Sequence, residues 1–245
     1  MIVGPAFVVG LVVSAVHAPL GIEVLKRGIV FIDLATAQII GLAIVLLGLF
    51  FDEPSWFLRQ SASFGTGICV ALFFRWIEHK TPEEQEAVIG SSFILAASLV
   101  LLALADDPHG GEALQHLLSG QILFVSWEDI SAFLPVYGLV ALVWAGVPRA
   151  RSGVGFFVLF ALAITASVQL VGVYVVFASL ILPALAARSG RSYHLKRAFA
   201  SGAAAVVTGV LISTAVDLPA GPFLVVCFAV SALGTRLLLR PTGGG

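Results

Sequence analysis

The chain has 245 residues, 59% of them hydrophobic and only 11% charged, with a formal net charge of -1 and a mean hydropathy of +1.06. A soluble domain of this length carries roughly a quarter charged residues, so the composition argues against a water-soluble enzyme, and the near-zero net charge gives no sign of a nucleic-acid partner. The expected architecture is all-α: a polytopic transmembrane helix bundle of eight or nine spans, forming one domain over residues 1–240, with 241–245 as a disordered tail.

Apolar runs place spans near 3–20, 33–51, 56–76, 87–105, 131–147, 154–171, 173–187, 199–215 and 222–239. The count falls to eight if the short run 173–187 is tilted or partly re-entrant. The first run has no basic flank and no small-residue cleavage site, so it reads as a retained span rather than a signal peptide. His17 lies near its inner end beside Pro19. Lys26 and Arg27 follow, then Asp33 at the start of the second span and Gln38 one and a half turns further on. An ionisable group at membrane depth is a functional candidate by default. The alternative for Asp33 is a helix cap, or a partner of Lys26 or Arg27. Cys69 and Cys227 lie in apolar stretches and read as small core residues rather than a disulfide.

The longest non-apolar stretch runs from Asp106, Asp107 and His109 through Glu112 to His116. Two histidines and three carboxylates are ligand types for zinc or manganese. A helix over Glu112 to Leu118 would put Glu112 and His116 on one face. The competing reading is a solvated loop with Asp107-Pro108 as a turn and Gly110-Gly111 as a hinge. Even so, an acidic vestibule concentrates cations.

No charged side chain occurs between Arg151 and Arg188, about 36 residues, nearly twice the length of one span. With Gln169-Leu170-Val171-Gly172 near its middle, this run reads as two spans back to back. Gln169 is either a pathway residue or a tie between helices. In the later spans, Ala198 with Gly202 and Gly209 with Ser213 form small-xxx-small pairs suited to close helix approach.

Threading nine spans collects every Lys and Arg except Arg59 on one side, including Arg149, Arg151, Arg188 and Arg191. The positive-inside rule makes that side cytoplasmic, with the N-terminus outside and the C-terminus inside. The chain has no Walker A loop, no H-E-x-x-H and no nucleophile elbow. If ATP drives transport, another subunit must bind it.

Several ordered segments resemble the permease subunits of the ABC-3 family, importers of zinc, manganese or iron(II). They are Pro19-Leu20-Gly21 with Val24-Leu25-Lys26-Arg27-Gly28, Glu86-Ala87-Val88-Ile89-Gly90, Leu118-Ser119-Gly120 through Val125-Ser126, Gln169-Leu170-Val171-Gly172 through Pro183-Ala184, and Asp217-Leu218-Pro219-Ala220-Gly221. The resemblance implies a bacterial inner-membrane permease without enzymatic activity or permanently bound cofactor. It implies a homodimer that takes a divalent metal, zinc foremost, from a periplasmic metal-binding protein and is energised by a separate ABC ATPase subunit. An ATPase-independent transporter or channel is the rival.

Two departures from the family pattern stand out. Family members carry Asp and His four apart after the basic loop; here Leu34 and Gln38 stand at those two positions without a gap, or Asp33 and Ala37 with a one-residue gap. The cytoplasmic segment that docks on the ATPase is reduced to residues 145–153, leaving Arg149 and Arg151 there, and Arg188 and Arg191 in the next basic loop, as candidate coupling residues.

Overall fold

The computed structural model describes residues 3–238, apart from Asp52, Asp106, His109, Gln121, Gly190, Arg191 and Asp217 and the side chain of His116. Among these residues nine α-helices form in chain order: α1 (Val3–Arg27), α2 (Ile32–Phe50), α3 (Trp56–Lys80), α4 (Gln85–Ala103), α5 (Gly110–Ser119), α6 (Trp127–Gly146), α7 (Gly153–Ala186), α8 (Leu195–Val216) and α9 (Ala220–Leu238). Strands β1 (Arg188–Ser189) and β2 (Ser192–Tyr193) make a small hairpin between α7 and α8. Eight of the helices are long and apolar enough to cross a membrane, all but α5.

Local chemistry sets the ends. Ser126 and Asp129 close a reciprocal capping box, with Ser126 N–H donating to Asp129 Oδ2 at 2.9 Å and Asp129 N–H to Ser126 Oγ at 3.1 Å. That box starts α6 at Trp127, four residues before its apolar run. Gly28, at φ 73°, stops α1 while Ile29 N–H reaches back to the Val24 carbonyl, a Schellman ending that turns the chain into α2.

The long uncharged run is two spans. A continuous 34-residue helix would separate its ends by about 51 Å. Instead both ends of α7 meet the same end of α1. The Arg27 guanidinium lies 4.1 Å from the Phe156 ring and the Lys26 amine 5.9 Å from the Tyr193 ring. Ala184 and Ala187 pack on Ala18 and Ile22. The reversal falls at Gly172, whose φ of 77° and ψ of 164° break the helix. Its two arms form the buried centre of the bundle.

Contacts sort the loops into two ends. Arg27 bridges Glu23 at 3.2 Å and Glu78 at 2.8 Å and donates to the Arg151 carbonyl, so the ends of α1 and α3 and the α6–α7 connection lie together at a basic end. The start of α1 lies against Trp127 at the opposite, acidic end. All four tryptophans mark these limits. Trp56 and Trp76 in α3 are about 30 Å apart along the helix, and Trp127 and Trp144 in α6 about 25 Å, bracketing a hydrocarbon layer between aromatic belts. The large exposed side chains between them, such as Leu72, Ile94, Leu102 and Leu142, form the lipid-facing surface. Cys69 belongs to that surface, which corrects its placement in the core; Cys227 is half-buried, and both are unpaired. The small residues predicted to admit close helix contact do so: Gly202 lies against Ser14 of α1 and Gly209 against Leu224 of α9.

Candidate functional site

Three glycine-containing segments cross at the acidic end. A Cβ on Gly120 would fall on the Val171 carbonyl, one on Gly172 on the backbone of Gly120, and one on Gly221 on the Ser119 carbonyl. Gly120 also has φ 60°, so two of the three positions demand glycine twice over. This junction holds α5 between two cavities. Above it, a cavity of about 530 Å³ is lined by Glu112, Gln115 and Ser119 of α5 and by the 218–222 turn. Beneath it, a second of about 530 Å³ is walled by apolar side chains of α2, α4, α5, α7 and α9, among them Leu34, Leu114, Leu118 and Phe177. Pro222 lines both.

Besides Tyr174, Gln38 is the residue with polar side-chain atoms that lines the lower cavity. It is buried, and its Oε1 has no hydrogen-bond partner. Asp33 is fully buried nearer the basic end, and neither of its carboxyl oxygens accepts a well-formed hydrogen bond. Glu86 Oε1 accepts from Phe31 N–H at 3.4 Å, while its Oε2 is enclosed and unpartnered. Glu86 was not singled out from the sequence as a functional residue, although it opens one of the family-like segments.

His17 and Gln169 sit elsewhere and are fully engaged. His17 Nδ1 lies 2.8 Å from Ser179 Oγ and Nε2 3.0 Å from Ser167 Oγ, one serine on each arm of α7. Tyr137 of α6 joins Ser167 at 2.8 Å. Gln169 exchanges two amide hydrogen bonds with Gln60 of α3, at 2.9 and 3.2 Å.

In the outer loop, Glu112 is exposed and faces the upper cavity, and Asp107 is exposed at the turn before α5. Asp106, His109 and the side chain of His116 lie outside the described residues, and among those described no group of three or more ligand-type side chains converges. At the basic end Arg149 is exposed. Arg151 instead donates to the Trp144 and Ala145 carbonyls, at 2.7 and 3.3 Å, closing the end of α6. Arg188 is exposed in β1, and Arg191 lies outside the described residues.

The sequence matches the model of the ABC 3 transport family over residues 1–147 and 140–238. The chain belongs to the ABC 3 transport family. The match comes in two pieces that meet at the end of α6, where only the short 147–152 connection stands. A similar protein is the chelated iron transport system membrane protein YfeD of Yersinia pestis, 30% identical over 193 residues, which cover 69% of this chain and 64% of that protein. The matched region thus spans less than two thirds of that relative. In fold this ABC 3 protein is similar to a chain of PsaBC from Streptococcus pneumoniae in complex with Fab, with a TM-score of 0.72, 21% identity, and coverage of 97% of this chain and 91% of that one. It is also similar to a metal-chelate type ABC transporter in an inward-facing conformation, with a TM-score of 0.71, 17% identity and coverage of 96% and 85%.

Proposed function

We propose that this ABC 3 protein is the membrane-spanning subunit of an importer for a divalent metal ion. It works as a homodimer in a bacterial inner membrane, with the acidic end outside and the basic end in the cytoplasm. A metal-binding protein docks at the acidic end and an ABC ATPase at the basic end. The observation that carries the proposal is the stacking of two cavities on either side of α5, with unpartnered oxygens of Gln38, Asp33 and Glu86 continuing the line toward the basic end.

The chain's residues divide the work. Glu112 and Gln115 offer oxygen ligands at the outer mouth. The Gly120–Gly172–Gly221 crossing fixes α5 over the membrane-level cavity, which a second copy completes. His17 and Gln169 tie helices together rather than touch the ion. Zinc remains the substrate favoured by the ligand types of His109 and His116 in the outer loop.

ATPase dependence is the decisive test. Tagged chain should co-purify with an ABC ATPase, and a Walker A lysine mutation in that subunit should abolish metal uptake. Uptake that survives the mutation would favour the second reading, an ATPase-independent transporter. One observation supports that rival: the α6–α7 connection is tied to the end of α6 by Arg151 and to the end of α1 by Arg27.

A further inference from the structure

Of the lysines and arginines among the described residues, Arg59 alone stands at the acidic end. It lies in the first turn of α3, where the helix's own positive pole disfavours a cation. Among the described residues no carboxylate pairs with it. Neither of the two stacked cavities is lined by Arg59, so it stands apart from the ion's path. It lines a third cavity of about 290 Å³, together with Trp56 and Gln60 of α3, Asp129 of α6, Gln169 of α7 and Phe124.

The polar groups of this cavity match a zwitterion. Asp129 is its one acid, held through Oδ2 by the Ser126 amide and hydroxyl, and it is too far from Arg59 to pair with it. A guanidinium and a carboxylate that do not meet each other suit a ligand carrying both an anion and an amine. Gln60 gives one amide N–H to Gln169 and keeps the other to offer, whereas Gln169 spends both of its own, on Gln60 and on the Thr165 carbonyl.

The surroundings match a lipid. Trp56 and Phe124 are 61% and 77% exposed, at the level of the aromatic belt where headgroups lie. Gly67 of α3 packs on Thr165 and Tyr137 of α6 joins Ser167, so both helices flank the first arm of α7, and each packs far more on α7 than on the other. From Phe156 to Val168 that arm is buried except at Val158 and Leu162. These two share a face with Gln169 by helical spacing, making an apolar strip that leads from the cavity toward the bilayer centre.

We infer that this cavity holds the headgroup of a phospholipid from the leaflet at the acidic end, one that carries a phosphate and an amine. The phosphate lies on the Arg59 guanidinium, whose fork of donors suits it, and on the spare Gln60 N–H. The ammonium faces Asp129, and an acyl chain follows Val158 and Leu162.

The test is lipid retention by the full-length chain in detergent, read by native mass spectrometry. Phosphatidylethanolamine and phosphatidylglycerol are offered in equal amounts, with glycerophosphoethanolamine as a water-soluble competitor. Wild type should prefer phosphatidylethanolamine by about three- to fivefold, the scale of one exposed ion pair. Arg59→Gln should lower retention of both lipids by a similar factor, and Arg59→Lys should restore part of it. Asp129→Asn, which keeps an acceptor for Ser126 N–H, should erase the preference, whereas Glu128→Gln next to it should leave it intact. Equal retention of the two lipids by wild type, or unchanged retention in Arg59→Gln, would overturn the site. Displacement of the lipid by glycerophosphoethanolamine would overturn the lipid assignment in favour of a soluble phosphoester. Weaker capture of a periplasmic metal-binding protein by Arg59→Gln, with lipid retention unchanged, would overturn it in favour of protein docking. The importer reading stands or falls separately, on uptake.

Discussion

At the residue scale, hydrogen-bond satisfaction separates structural polar groups from candidate ligands. His17, Gln169 and Asp33 all look alike in the sequence, as isolated polar residues in apolar runs. Their partners differ. His17 is held at both ring nitrogens by serines on the two arms of α7, so its removal should act on stability. His17→Ala should lower the melting temperature of the detergent-purified chain, corresponding to about 2–4 kcal/mol from the cavity and the lost bonds. Uptake per folded molecule should be unchanged. A stable variant with abolished uptake would return His17 to the pathway. Asp33 was legible as a candidate because it is an ionisable group in a span. Glu86 was not, because an acid at the start of a helix is common and its orphaned oxygen depends on α2 packing against α4.

At the level of elements, the hairpin of α7 follows from its length and lack of charge, and Gly172 follows from the need to reverse direction. What the chain order does not reveal is that Gly120 and Gly221 meet Gly172 in space, since their separations in sequence are large and nothing local demands it. Once the crossing is seen, three of the family-like segments acquire one physical cause: backbones in contact leave no room for a Cβ. Gly172→Ala forces an alanine into a positive-φ, extended-ψ conformation that essentially only glycine adopts, and onto the backbone of Gly120. The strain alone costs about 1–3 kcal/mol, and the overlap adds to it. We expect a clear drop in thermal stability and loss of protection of the 110–120 segment in hydrogen exchange. Unaltered exchange there would mean that α5 does not rest on the junction.

For the whole molecule, charge and tryptophan placement agree on the boundaries of the bilayer; the charge preference is legible in the sequence, whereas the tryptophan limits emerge only once α3 and α6 are placed. Single cysteines placed at Glu112 and at Arg149, on a background without Cys69 and Cys227, should be labelled by an impermeant reagent from opposite sides of the membrane. Labelling from the same side would break the nine-crossing path. The outer metal-loop expectation rests on ligand types without convergence among the described residues, and the docking expectation on a short, exposed connection tied to the ends of α6 and α1. Both depend on partners, and a partner's surface leaves no periodicity or spacing in this chain.

The central claim is that this bundle carries a divalent ion past Asp33. Its most direct test is uptake of radioactive zinc by cells lacking the gene and complemented with either wild-type chain or Asp33→Asn at equal membrane abundance. The account predicts that wild type restores uptake and Asp33→Asn does not; equal restoration by both would contradict it.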